Sequence, residues 1–105
     1  MAALTQASSE RRRNLSDSFL KQRGDVHSTA LEGESVLLNL STGRYYTLNA
    51  VGSVVWDQCA VPRSIAQILS TIFDRFEVTT QQAHDDLVDL VSLLTGEKLI
   101  QTERR

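Results

Sequence analysis

The chain has 105 residues, is 41% hydrophobic and 23% charged, and carries a formal net charge of −2. That composition fits one ordinary globular domain with a small core, and it offers nothing global to nucleic acid or anionic lipid. Cys59 is the only cysteine, which excludes an intramolecular disulfide and a Cys-rich zinc site. The opening MAALTQASSERRR has no apolar core of a signal peptide, and no run reaches the roughly 18 apolar residues of a membrane span. A cytoplasmic protein without a membrane partner is the expectation.

Residues 1–24 are polar and read as a flexible tail. Its anchors are Leu15, Phe19 and Leu20, so a short helix after Ser16 that docks Phe19 and Leu20 is the second reading, and contact of the basic tail with a partner protein the third. The domain itself is expected over 25–101. Asp25 to Glu32 suits a strand, and Glu32-Gly33-Glu34 a turn. Two stronger strands follow, Val36–Leu40 and Tyr45–Leu48, around the turn residues Ser41-Thr42-Gly43. Gly43 supplies the positive φ of a three-residue loop closing in a bulge. Pairing Leu40 with Arg44 sets Leu38 opposite Tyr46 and Val36 opposite Leu48, so the large apolar pairs share one face.

Asn49 then N-caps a helix over about 50–59, with Val51, Val55 and Cys59 as its stripe and Trp56 beside it. Pro62 ends it. Ser64 and Gln67 form a capping box before Ile65, Ile68, Leu69, Ile72 and Phe73, one apolar face of a second helix. Thr79 and Gln82 repeat the box for a third helix, where Val78 staples onto Ala83. Its stripe is Ala83, Leu87, Leu90, Val91 and Leu94, and Gly96 suits the position just past its end. The fold class is α+β: a three-stranded antiparallel meander followed by three helices (βββααα), a winged helix-turn-helix.

No catalytic set emerges. Cys59, His84 and Asp85 are the letters of a thiol triad, but Cys59 lies on an apolar stripe and reads as an inert buried thiol. His27 and His84 lack the spacing of metal ligands. Asp85, Asp86 and Asp89 read as a solvated acidic face, and the scattered glycines make no phosphate loop. Neither a cofactor nor a metal is expected.

A winged helix suggests a DNA-binding regulator, which stands as the alternative function. Against it, the third helix holds three aspartates and no lysine or arginine, and DNA affinity rests on basic groups. Met1–Arg23 has five Lys/Arg against two Asp/Glu, a net +3, and from Gly24 on six stand against eleven, a net −5. The meander leaves Arg44–Leu48 at a sheet edge beside the third helix. Such an edge and groove suit an extended peptide added as a strand.

At these residues the chain resembles the PqqD-like proteins. The run Val36-Leu37-Leu38-Asn39, then Thr42-Gly43-Arg44-Tyr45-Tyr46-Thr47-Leu48-Asn49, then Gly52-Ser53 and Trp56, carries the resemblance. Ile65/Ile68 and Phe76-x-Val78 continue it, over about Val26 to Ile100. These are the recognition elements that bind the leader of a ribosomally made, later modified precursor peptide (RiPP). A free-standing chain of this size is most similar to the discrete B1 proteins of lasso-peptide clusters. The resemblance implies that the leader adds antiparallel to the third strand, against the third helix. By match the positions are Tyr45, Tyr46, Thr47 and Leu48, with Arg44 on the same wall, and His84, Leu87, Val88 and Val91 on the helix. It also implies delivery of the precursor to a separate B2-like cysteine protease and, beyond it, a macrocyclase. Read as residues alone, Tyr46, Leu48 and Leu87 are core positions, Tyr45 and Thr47 offer mainly backbone, and Val88 and His84 are contact candidates.

Overall fold

The structure is a computed structural model and describes residues 18–104. Its elements are β1 (Ser18–Gln22), β2 (Val26–Leu31), β3 (Glu34–Asn39), β4 (Tyr45–Leu48), α1 (Ala50–Gln58), β5 (Arg63–Ser64), α2 (Ile65–Arg75), α3 (Thr80–Gly96) and β6 (Ile100–Arg104). The strands form two three-stranded sheets, ordered β2-β3-β4 and β5-β1-β6, and every pairing is antiparallel. The class is α+β, with the expected meander leading into three helices. The winged helix-turn-helix description fits it loosely.

The second sheet changes the expected N-terminal boundary. Residues 18–22 are a strand, not a tail or a helix, and Leu20 is fully buried. Three further bonds fasten this segment. Gln22 N–H donates to the Cys59 carbonyl at 2.8 Å and Arg23 N–H to the Leu99 carbonyl at 3.0 Å. The Gln22 amide donates to the Trp56 carbonyl at 2.7 Å. Residues 1–17, which include the basic run and Leu15, lie outside the described residues.

The β3–β4 register is shifted by one residue from the expected pairing. Leu38 faces Tyr45, Leu37 faces Tyr46, Val36 faces Thr47 and Ser35 faces Leu48. The cause is Asn39, which closes the loop from both its backbone and its side chain. Its N–H donates to the Arg44 carbonyl at 3.0 Å and its carbonyl accepts from Gly43 N–H at 2.8 Å. Its Oδ1 accepts from the N–H groups of Ser41 and Thr42 at 2.9 and 3.3 Å, a turn that Asn side chains favour. Gly43 takes the expected positive φ, at 75°. Leu40 joins the loop, 63% exposed, and Leu37 and Asn39 turn inward in place of Val36 and Leu38.

The helices begin where capping chemistry places them. Asn49 accepts from Gly52 N–H at 2.8 Å. Ser64 and Gln67 make the full reciprocal box, whereas Thr79 makes only the N-cap half, to Gln82 N–H at 3.1 Å. One core gathers Leu20, Leu37, Leu48, Val55, Trp56, Ile68, Ile72, Leu87, Val91, Leu94 and Leu99. Phe73, expected on the apolar face of α2, is 41% exposed because the helix buries the Ile65/Ile68/Ile72 edge instead.

The end of α3 also departs from expectation. Gly96 is the last helical residue and Lys98 takes the left-handed position, at φ 59°. Leu99 N–H bonds to the Leu94 carbonyl at 2.8 Å and Lys98 N–H to the Thr95 carbonyl at 3.1 Å. Those two bonds are a Schellman motif, which prefers glycine where Lys98 sits. A non-glycine residue in that conformation costs about 1 kcal/mol. Lys98→Gly is therefore expected to raise Tm by about 4–8 °C in thermal unfolding. An unchanged or lower Tm would mean that the lysine side chain offsets its own backbone strain.

Candidate functional site

β4 is the outer strand of its sheet. Asn39 and Arg44 are joined by a ladder bond, so alternation makes Leu37–Tyr46 and Ser35–Leu48 the hydrogen-bonded pairs. Tyr46 and Leu48 thus turn their backbone groups toward β3. Tyr45 and Thr47 turn theirs outward, to the open edge. The same parity follows from the expected register, because the shift lies wholly in β3.

Glu97, the C-cap of α3, fastens this hairpin to the helix end. Its carboxylate accepts from the Tyr46 hydroxyl and lies 3.5 Å from the Arg44 guanidinium. Its carbonyl accepts from Asn39 Nδ2 at 3.3 Å. The hydrogen bond to Glu97 pushes the Tyr46 hydroxyl above its ordinary pKa, since a carboxylate acceptor favours the protonated phenol.

A groove of about 380 Å³ runs between the β4 edge and α3. Thr47, Leu48 and Asn49 form the strand side. Val51, Gly52 and Val55 of α1, with Ile72 and Val78, close the floor. Gly52 keeps it open by close approach, for a Cβ there would stand 3.2 Å from Leu48 Cβ. The helix side is Ala83, Leu87, Leu90 and Leu93, with Asp86 and Asp89 between them.

The groove therefore takes in Thr47, Leu48 and Leu87 of the expected site residues. Leu48 and Leu87 are 5% and 2% exposed and present little more than a surface patch to it. Arg44 and Tyr46 stand with Glu97, and Tyr45 is 71% exposed on the opposite face of the sheet. Val91 is core, 1% exposed. Val88 is half-buried, and His84 lies 3.7 Å from Asp85; neither lines the groove. Sequence reading passed over Asp86, Asp89, Leu90 and Leu93 as groove residues. The signal present in the sequence is Leu93, an apolar residue off the core stripe, which the structure leaves 51% exposed.

Cys59 is fully buried, and burial pushes its thiol up to about 11, which is wrong for a nucleophile. No group of three or more His, Cys, Asp or Glu among the described residues is placed to hold a metal ion, and no helix among them is long and apolar enough to cross a membrane.

Fold and groove together define a small α+β domain with an open strand edge above an apolar trough. The family described as coenzyme PQQ synthesis protein D (PqqD) matches residues 34–100, and the chain belongs to it. Two solved structures share the fold. One is "TbiB1 in complex with the TbiA(beta) leader peptide", 31% identical, with a TM-score of 0.71 over 77% of this chain and 94% of that one. The other is "Lasso peptide synthetase B1 complexed with the leader peptide", 21% identical, with a TM-score of 0.68 over 78% and 96%. A search of curated protein sequences returned no match.

Proposed function

We propose that this protein is a non-catalytic adaptor that binds the leader of a ribosomally made precursor, a lasso peptide by its likeness to the lasso peptide B1 protein solved with a leader. The leader adds as a strand to β4, and the adaptor hands it to a separate cysteine protease and then a macrocyclase in the cytosol. The observation that carries the reading is the outward-facing backbone of Tyr45 and Thr47 above the groove. A fold shared with two proteins solved with a leader peptide supports it. On this reading Thr47 meets the leader through its outward backbone, Leu48 offers it a small apolar patch, and Leu87 lies on the helix wall. Tyr45 gives backbone, and Arg44 and Tyr46 hold the wall in place. His84, Val88 and Val91 then stand behind the groove rather than in it. The alternative of DNA binding gains no support from α3, whose three aspartates would repel phosphate.

Thr47→Pro tests the mode of binding. Proline removes one outward N–H without taking a bond from the β3–β4 ladder. One such bond is worth about 0.5–1.5 kcal/mol, so affinity for a labelled leader of the cognate precursor is expected to fall about 2- to 13-fold. Thr47→Ala keeps the N–H and should bind nearly as wild type. The readout is fluorescence polarisation, with thermal unfolding to show that the fold survives. A folded Thr47→Pro that binds at wild-type affinity would rule out addition at this edge.

A further inference from the structure

We infer that the groove selects peptides carrying a lysine or arginine beside their apolar anchor, held by Asp86 and Asp89. The inference rests on the groove being the leader site and names the chemistry of its occupant. Asp86 and Asp89 are three residues apart on α3, share a face, are exposed, and both line the groove. Among the described residues neither has a hydrogen-bond or ion-pair partner. The neighbouring Asp85, by contrast, is engaged by Gln81 and His84. No lysine or arginine lies in α3 or among the groove residues. The nearest cation on the β4 wall, Arg44, is turned to Glu97. Among the described residues the rim thus keeps two unpaired carboxylates beside an apolar trough.

An occupant changes what those charges cost. A strand laid on β4 sends alternate side chains into the groove, against the helix wall of Leu87 and Leu90. It also displaces water from the two carboxylates, which is unfavourable unless a cation replaces that water. A lysine or arginine meets both demands, since its stem covers apolar surface while its head reaches the rim. Arginine can bridge two carboxylates with its planar fork. Each rim pair is expected to contribute about 1.4- to 5-fold in affinity, and less at high salt. An acidic side chain at the same place is rejected.

The test uses a displayed library of random 12-residue peptides, selected against the full chain, against Asp86→Lys/Asp89→Lys, and against Thr47→Pro. Wild type should enrich Lys or Arg at a fixed offset from an apolar residue. The charge-reversed protein should enrich Asp or Glu at that offset. Peptides selected on wild type should bind Asp86→Asn/Asp89→Asn about 2- to 25-fold more weakly, with a flatter salt dependence. Both positions are exposed, and thermal unfolding checks that the variants fold. Apolar enrichment without charge bias, or a bias that reversal leaves unchanged, overturns this inference and leaves the groove as a peptide site. Enrichment on Thr47→Pro equal to wild type, or none on wild type, overturns the groove reading and the inference with it.

Discussion

Leu37→Ala is expected to cost about 2–5 kcal/mol in urea unfolding, and Leu38→Ala only about 1 kcal/mol. The two leucines are adjacent, yet Leu37 has no exposed surface while Leu38 is half-buried on the outer face. Truncating Leu37 opens a cavity between β3 and the helices, where Trp56 and Val55 lie within the same core. Truncating Leu38 removes surface that is already partly wet. For a domain of this size the first loss lowers Tm by roughly 8–40 °C. The reverse order of effects would restore the register in which Leu38 faces Tyr46.

Asn39→Ala should be the next most damaging of these changes, at about 1–3 kcal/mol. The side chain is 1% exposed and makes three bonds: it caps two loop N–H groups and donates to the Glu97 carbonyl. Alanine leaves a cavity, an open loop and an unfilled carbonyl at the end of α3. Asn39→Leu fills the space but not the bonds, so it should not recover the loss. If leucine restored wild-type stability, volume rather than hydrogen bonding would explain the residue.

These two positions show why sequence reading found the hairpin but misplaced its pairing. Val36-Leu38-Leu40 is an apolar alternate set, and Leu37-Asn39 is interrupted by a polar residue, so period-two reasoning favours the wrong set. Asn39 inverts that preference because a buried amide that closes a loop outweighs one more aliphatic side chain. The helices were readable because caps and stripes agree: Asn49, Ser64 and Thr79 begin them. Strand β1 was not, because Ser18-Phe19-Leu20-Lys21-Gln22 holds one deeply buried aliphatic, and its partners lie some forty and eighty residues further on. The edge position of β4, beside the groove, is legible from the meander alone. The groove's helix wall is not legible in the same way, because Leu90 falls on the apolar stripe with Leu87 and Val91 and so reads as core, leaving His84 and Val88 as the margin. In the structure Leu90 is half-buried and shared with the groove.

The pairing of β1 with β6 sets Ser18 directly across from Arg104. The two ends of the described fold therefore leave from neighbouring points, and neither strand contributes to the groove. A unit built this way is portable. Insertion into a loop of another polypeptide, or joining these two ends and cutting elsewhere, is expected to leave the groove intact.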